Sequence, residues 1–377
     1  MWHKFLLWAS KHYLRGRIRR RPPRPLAELD VAAVRRVLLL NATALGDFLF
    51  STPTFRALKE TYPAWQLDAL ITPSHRDLAA HNPHLSYLWL YPGRGKALLA
   101  LMRQLSQEHY DLVIILHGND PEATLIAYAT GAPFVIGSAH SPLAFAYSAT
   151  ISHSDPLEHA IERRLAYARV LGAETEDRRM ELTLPASEVR QAKDILVDHF
   201  GGKLPDLLVA LHPMGSAPYK WWPLERYAEL GQHLFERYRA ALLIISNGRE
   251  RAAAEALAAR LPGPVLVTGG RYPLLTVAGF LSHCRLLVAN DSGPLHMGLA
   301  LGVPTLALLG ADHPARIGPY RVNWGTYLYS KEGACPEPDC LTRRCPDNRC
   351  LQAISTSEVI ATLASWWKPR YINKERN

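Results

Sequence analysis

The fold class follows from one stretch of sequence, Val37-Leu38-Leu39-Leu40-Asn41-Ala42-Thr43-Ala44-Leu45-Gly46-Asp47. Its first four residues are apolar without interruption, which predicts a strand that is buried on both faces. A turn of small residues follows, and residues 48–62 favour a helix that ends before Pro63. A buried strand followed by a helix is the repeating unit of a parallel sheet that helices cover on both sides.

The same alternation recurs along most of the chain and divides it into two domains. Residues 34–185 are predicted to form one doubly wound domain, and residues 186–355 a second one that includes the connecting helix 187–200. A final helix and tail, residues 356–377, are expected to return to the first domain. The predicted fold class is therefore α/β, with two Rossmann-like domains facing across a cleft. The predicted strands are residues 37–40, 67–71, 87–90, 112–116, 134–136, 207–211, 241–245, 265–267, 286–289 and 305–308.

Length and composition exclude several classes of protein. A chain of 377 residues with 48% hydrophobic and 20% charged residues is globular and large enough for two domains. No apolar run reaches the roughly 18 residues that a membrane-spanning helix needs. The apolar stretch at the start is too short for a signal peptide. These features favour a cytoplasmic protein.

Residues 1–33 are predicted to form a basic, aromatic arm. Residues 1–25 hold eight Lys and Arg and no acidic residue, whereas the remainder carries 35 − 34 = +1 of the net charge of +9. A helix over residues 2–14 would place Trp2, Phe5, Leu6, Ala9 and Tyr13 on one side. Such a helix suits a membrane interface with anionic lipid. A disordered tail and a nucleic-acid-binding arm are the alternatives; the aromatics favour the membrane, and the near-neutral body argues against nucleic acid.

Ligands of open α/β sheets bind beyond the carboxyl ends of the strands, so the loops at those ends are candidate sites. In the first domain the loop after residues 37–40 leads to Asp47, which opens the next helix. A carboxylate at this position could act as a general base. An Asp in the first turn also stabilises a helix through its dipole, and spacing alone favours that interpretation.

Three loops of the second domain also carry candidate residues. The segment Asn290–His296 opens a helix, and free amides at Ser292 and Gly293 predict a phosphate site, with a plain capped helix as the alternative. Lys220 could neutralise a diphosphate or be an ordinary surface lysine. Glu250 could accept hydrogen bonds from ribose or adenine, or it could stabilise the start of a helix.

A series of short motifs occurs in a fixed order along the chain: Ala44-Leu45-Gly46-Asp47, Thr52-Pro53, Arg56-Ala57-Leu58, Tyr62-Pro63, Lys220-Trp221-Trp222-Pro223, Asn290–His296, Ala300-Leu301-Gly302-Val303-Pro304-Thr305, and Gly310 with Pro314, Arg316, Gly318 and Pro319. Together these motifs resemble glycosyltransferase family 9, the ADP-heptose:lipopolysaccharide heptosyltransferases. The resemblance that they carry extends over about residues 34–362. The resemblance implies a GT-B fold and an inverting transfer from a nucleotide sugar that requires no metal or other cofactor for catalysis.

The resemblance also implies roles for individual residues. Asp47 becomes the base that deprotonates the acceptor hydroxyl. The acceptor-binding candidates are Thr43, Gly46, Arg56, His117 and Asn119. The donor-binding candidates are Ser216, Lys220, Ser292 and Gly293 at the diphosphate, Asp291 at the sugar, Glu250 at the nucleoside, Leu275 at the base, and His296. Two positions depart from the family pattern: Ser292 stands where Thr is frequent, and Ile115 where Asp is frequent.

Four cysteines, Cys335, Cys340, Cys345 and Cys350, follow one another at five-residue intervals. Thiolates bind zinc or iron tetrahedrally. This spacing differs from that of a standard zinc ribbon, so a structural zinc or iron ion, free thiols and two disulfides all stay open.

The predicted function is transfer of a sugar, heptose from ADP-heptose in the first place, to a lipopolysaccharide core or similar lipid-linked saccharide. The enzyme would act in the cytoplasm, peripherally at the inner face of the bacterial inner membrane, which it would meet through the arm. The alternatives are a non-catalytic GT-B protein that binds nucleotide sugar or saccharide, and a family 9 transferase that uses a different sugar nucleotide.

Overall fold

A computed structural model describes residues 2–20, 22–117, 121–215, 217–330, 334–335, 345 and 347–367, except for the side chains of residues 2–5 and 20. The chain divides into two compact units, Met1–Arg178 and Arg179–Asn377. None of the helices in this described part of the chain is long and apolar enough to cross a membrane.

The first unit is a parallel sheet of six strands flanked by helices. Its strands are β1 (Arg36–Asn41), β2 (Gln66–Ile71), β3 (Tyr87–Leu90), β4 (Leu112–Ile115), β5 (Phe134–Ser138) and β6 (Ala149–Ile151). Its helices are α1 (Trp2–Arg20), α2 (Leu45–Thr61), α3 (Arg76–Ala79), α4 (Lys96–Leu105), α5 (Pro121–Ala129) and α6 (Ala160–Arg169), with 3₁₀ turns at Leu26–Glu28, Pro73–His75 and Ala144–Ala146.

The second unit repeats this architecture. Its strands are β7 (Leu208–His212), β8 (Ala241–Ile244), β9 (Val265–Val267), β10 (Leu286–Asn290), β11 (Thr305–Leu309) and β12 (Gly325–Tyr329). Its helices are α7 (Ala186–His199), α8 (Leu224–Tyr238), α9 (Arg251–Ala258), α10 (Leu274–Ser282), α11 (Gly293–Ala300), α12 (Pro314–Ile317), α13 (Arg349–Gln352) and α14 (Thr356–Trp366), with a 3₁₀ turn at Pro218–Lys220.

Both sheets have the same strand order. The first runs β3-β2-β1-β4-β5-β6, and the second runs β12-β11-β10-β7-β8-β9, which is the same order counted from β7. This is the doubly wound order of Rossmann domains, so the predicted α/β fold class is confirmed. The central strands are apolar throughout because helices bury them on both sides; Val37 to Leu40 are fully buried, as their sequence predicted.

The N-terminal helix is longer than predicted and belongs to the first unit. Leu14 is fully buried, and Leu7 and Ile18 pack against the same core, to which α5 and the turn Ala144–Ala146 also contribute. These residues lie close to one another along one side of the helix, at spacings of seven and four. The predicted separate arm is therefore a docked helix, and Tyr13, predicted for an apolar face, is exposed.

The last helix packs within the second unit, and its return to the first domain stays a prediction. Val359 and Leu363 of α14 share an apolar core with Trp222. The indole of Trp222 donates a hydrogen bond to the carbonyl of Ile354 over 2.8 Å, and Trp367 donates to the carbonyl of Arg285 over 3.0 Å. An isolated helix of this length is only marginally stable in water. The apolar area that α14 buries and these two hydrogen bonds stabilise it in the core of the second unit.

Candidate active site

The strand order selects one place in each unit where ligands bind. In the first sheet β1 lies between β2 and β4, and in the second β7 lies between β8 and β10. At these positions the order reverses, and the loops that leave the carboxyl ends of the two strands diverge to form a crevice. The loops containing Asp47, His117, Lys220 and Asp291 all start there, as the sequence predicted.

The carboxylate of Asp47 is held in a defined position while staying accessible. It lies in the first turn of α2, and the guanidinium of Arg164 on α6 donates to it over 3.0 Å. The Arg164 side chain is largely buried, whereas that of Asp47 is 42% exposed. Packing of α6 against α2 brings the two residues together. A charge-assisted hydrogen bond from a buried arginine fixes the carboxylate. Because the carboxylate is partly exposed, the hydroxyl group of a ligand can still reach it.

Asn41 and Thr43 lie at the end of β1, beside the start of the same helix. The Thr43 hydroxyl donates to Oδ1 of Asn41 over 2.9 Å. Asn41 is fully buried, and no hydrogen bond to its Nδ2 is made by any residue that the structure describes. A buried amide without a partner is rare and marks a place where a ligand or water would complete the hydrogen bonding.

The other acceptor candidates divide into two groups. Gly46 immediately precedes Asp47, and His117 follows β4 and donates from Nδ1 to the carbonyl of Leu40 over 3.0 Å, so both lie at the carboxyl end of the central strands. Arg56 instead is buried, and its guanidinium donates to the carbonyl of Asp177 over 2.8 Å. That contact stabilises the fold of the first unit, which argues against an acceptor role for Arg56. Asn119 lies outside the described residues.

In the second unit Asn290 holds the two central loops together. Its Nδ2 donates to the carbonyl of Pro213 over 2.6 Å, while its Oδ1 accepts from the amide of Trp222 and the hydroxyl of Tyr227. Asn290 is fully buried at the end of β10. These three bonds thus fix the loop that follows β7, and with it the position of Lys220.

Lys220 and Asp291 form an ion pair at this point. The ammonium donates to Oδ2 of Asp291 over 2.6 Å, and Nε2 of His296 lies 3.8 Å from Oδ1. Burial alone would raise the pKa of Asp291, but the His296 imidazole and the Lys220 charge lower it to about 2. Burial works against the charge of Lys220 as well, and Asp291 outweighs it, so the pKa of Lys220 is raised. The site therefore holds a charged lysine at neutral pH.

This pair predicts a specific loss of stability in acid. Because the pKa of Asp291 is about 2 when folded and about 4 when unfolded, the ionised form contributes about 2 kcal/mol above pH 4 that is lost as the pH falls through 2. Urea unfolding at a series of pH values should show a steeper acid loss for the wild type than for Asp291→Asn. The exposed Asp206→Asn should leave the slope unchanged; equal slopes for Asp291→Asn and the wild type would contradict the assignment.

The helix α11 begins next to this pair. Ser292 is its N-cap residue, and the Ser292 hydroxyl donates to the carbonyl of Asn290 over 3.0 Å. Because this hydroxyl is turned to a carbonyl, it does not cap the first amides of the helix. Those amides, which include that of Gly293, are thus left for an anion at the positive end of the helix dipole. Ser216 lies outside the described residues.

Glu250 and Leu275 have local structural contacts. Glu250 is the N-cap residue of α9 but makes no side-chain bond to that helix; its carboxylate accepts from the amide of Asn247, in the turn before α9, over 2.9 Å. Leu275 is almost fully buried in α10. Nucleoside binding by these two residues stays a prediction.

The cysteine segment is described only in part, since Cys340 lies outside the described residues. Cys335 and Cys345 are partly exposed, and Cys350 is buried in the core of the second unit. Within the ranges that the structure covers, no group of three or more His, Cys, Asp or Glu side chains has the arrangement of a metal site. A structural zinc or iron ion at these cysteines stays a prediction.

Two doubly wound units with polar loops at their central strands match the GT-B fold of glycosyltransferases. A sequence model of glycosyltransferase family 9, described as heptosyltransferase, matches residues 98–344, and the chain belongs to this family. It is thus a glycosyltransferase, and the resemblance found in the sequence is confirmed.

Individual relatives agree with this assignment. The chain is 29% identical to lipopolysaccharide heptosyltransferase 1 of Pseudomonas aeruginosa over 304 residues, which cover 76% of this chain and 81% of that protein. Its fold is similar to that of a family 9 glycosyltransferase from Veillonella parvula, with a TM-score of 0.77, 22% identity, and coverage of 88% and 97%. It also resembles the Escherichia coli ADP-heptose lipopolysaccharide heptosyltransferase II, with a TM-score of 0.72, 19% identity, and coverage of 88% and 98%.

Proposed function

We propose that this glycosyltransferase moves heptose from ADP-heptose to a lipopolysaccharide core or a similar lipid-linked saccharide, with inversion at the anomeric carbon. The observation that carries the proposal is the Asp47 carboxylate, fixed by Arg164 and accessible at the end of the central strand. The names of related proteins include ADP-heptose and lipopolysaccharide. Because this chain belongs to the same family, we propose these as its donor and acceptor.

In the proposed reaction Asp47 accepts the proton of an acceptor hydroxyl. The hydroxyl oxygen forms a bond to the anomeric carbon of the donor, and the bond from that carbon to the diphosphate breaks. ADP leaves with the electron pair of that bond. Attack from the face opposite to the leaving group inverts the configuration.

The second unit would stabilise the negative charge that develops on ADP. Lys220 is charged and partly buried, and the amides at the start of α11 are directed at the same region as Asp291. Hydrogen-bond donors and positive charges that already point toward the place where negative charge develops lower the activation barrier of such a step. On this proposal the ammonium group of Lys220 and the start of α11 neutralise the diphosphate, and Ser216 contributes to the same binding site. Asp291 binds the donor sugar.

We further propose that the enzyme works at the inner face of the inner membrane, where a lipid-linked acceptor would be found. The support is α1, on which Trp8 and Tyr13 are 58% and 54% exposed among basic residues. Aromatic and basic side chains on one surface helix favour a membrane interface.

Transfer itself tests the proposal. Wild-type protein incubated with ADP-heptose and heptose-deficient lipopolysaccharide should release ADP and add one heptose per acceptor, measured by chromatography and mass spectrometry. Binding of ADP-heptose without any transfer would indicate the non-catalytic alternative and contradict the proposal.

A further inference from the structure

A cavity of about 170 Å³ lies behind the C-terminal part of α1. It is lined by Arg17, the Pro22-Pro23-Arg24 connector, Tyr128 at the end of α5, and residues around the start of β5 and β6. Since a water molecule takes up about 30 Å³ of liquid, the cavity is large enough for a phosphate ester. The prolines restrict the backbone of the connector, so one wall of the cavity is stiff.

This cavity is separate from the acceptor loops of the same unit. Its residues Ala132, Pro133 and Val135 surround the amino end of β5, and β5 runs parallel to β4. The loops with Asp47 and His117 follow the carboxyl ends of β1 and β4, so they lie at the opposite ends of the parallel strands. A ligand in the cavity is therefore not the acceptor.

The charge in the cavity is positive. No acidic residue in the described part of the chain forms an ion pair with Arg17, and Arg24 has one such partner, Glu28, at 3.1 Å. Arg24 also lies over the ring of Phe134, at 4.8 Å from the centroid, which holds its guanidinium in place. Two guanidinium groups with one carboxylate leave net positive charge for an anion, and planar guanidinium groups match the oxygens of a phosphate.

Two exposed aromatic residues, Tyr13 and Phe145, are neighbours of residues that line the cavity. Phe145 is 41% exposed and directly precedes Ala146, which lines the cavity. The guanidinium of Arg15 lies 5.6 Å from the Phe145 ring, and Tyr13 is exposed on the same helix. A soluble phosphate compound would not need apolar rings at the rim, whereas a headgroup still attached to its bilayer would bring acyl chains to them.

We propose that this cavity binds the phosphate group of an anionic phospholipid and thereby docks the first unit on the membrane. The inference rests on the proposed membrane association and names its ligand class and site. Arg17 and Arg24 would hold the phosphate, and Tyr13 and Phe145 would enter the interface around it.

Vesicle cosedimentation without donor or acceptor tests this inference separately from transfer. Wild-type protein should bind vesicles of phosphatidylcholine with phosphatidylglycerol and should bind phosphatidylcholine vesicles weakly. Removal of any two basic residues near an anionic surface costs about thirtyfold in affinity. The Arg17→Gln/Arg24→Gln variant should lose clearly more than that, because it also removes the phosphate site. Circular dichroism and the melting temperature show whether the variant folds, and transfer to a soluble, delipidated acceptor should persist.

The matched control is Lys11→Gln/Arg19→Gln, which removes the same charge from α1 at positions that do not line the cavity. It should lose no more than the about thirtyfold that the charge alone accounts for. Equal losses for the two pairs would show a diffuse electrostatic attraction and overturn the site. Glycerol phosphate serves as the soluble probe: binding as tight as that of the vesicles would overturn the lipid as ligand, and weak competition that needs Arg17 and Arg24 would support it.

Discussion

Asp47→Asn is expected to lower the rate of sugar transfer by about a thousandfold, since a positioned general base typically contributes a factor of 10²–10⁴. The amide has nearly the same shape as the carboxylate and can still bond to Arg164, but it cannot accept the proton of the acceptor hydroxyl. Because the proposed donor site lies in the second unit, the affinity for ADP should stay within about twofold of the wild type. Steady-state transfer kinetics and calorimetry measure the two quantities.

The control for this change is Asp77→Asn. Asp77 is also an exposed acidic residue in the first turn of a helix of the same unit, without an arginine partner among the described residues. If Asp47 only stabilises its helix, both variants should have nearly wild-type rates. That result would remove Asp47 from the reaction and restore the helix-dipole interpretation.

Lys220→Met should reduce kcat/KM by about a hundredfold to a thousandfold, the usual effect of removing one group that stabilises a developing anion. Affinity for ADP should fall as well, because the diphosphate loses a charged partner. The substitution also leaves Asp291 buried without the ammonium group at 2.6 Å, so a loss of stability is expected.

Two variants separate binding from stability at this position. Lys220→Arg keeps the charge and should restore stability more than activity, since a planar guanidinium cannot reproduce the same contacts. Lys203→Met, an exposed lysine of the same unit paired with Asp206, should leave kinetics and ADP affinity unchanged. Lys220→Met with unchanged ADP affinity and only a lower melting temperature would assign Lys220 a purely structural role.

The strands of both sheets were predictable because buried parallel strands are continuous apolar runs. Every predicted strand is present, whereas the edge strands β6 and β12 were not predicted. β6 has only three residues, and β12 has no fully buried residue, so neither carries the apolar pattern of a central strand. The amino-acid composition and periodicity of a segment indicate how deeply it is buried. Edge strands are only partly buried, so their sequences indicate a strand less clearly.

The candidate site was predictable where it follows from local sequence. The loops after the central strands could be located, because the carboxyl ends of parallel strands bind ligands in this fold. The Arg164–Asp47 pair could not, since it joins residues 117 positions apart through the packing of α6 on α2. Arg56 shows the reverse case: a basic residue in a family motif turns out to be buried against Asp177.

The same limit applies to the N-terminal helix. Its composition indicated an amphipathic helix, but Leu7, Leu14 and Ile18 decide which side packs on the unit. That choice depends on the apolar surface offered by α5 and the neighbouring turn, which the sequence of the helix alone does not contain.

The most direct test of the account is a transfer assay with wild-type protein, a heptose-deficient lipopolysaccharide acceptor, and a panel of ADP-heptose, UDP-sugars and GDP-sugars. The account predicts transfer from ADP-heptose, with release of ADP and an acceptor heavier by one heptose. Preferential transfer from a UDP- or GDP-sugar would contradict the assignment of the donor, and the absence of transfer from every donor would contradict the catalytic role of Asp47.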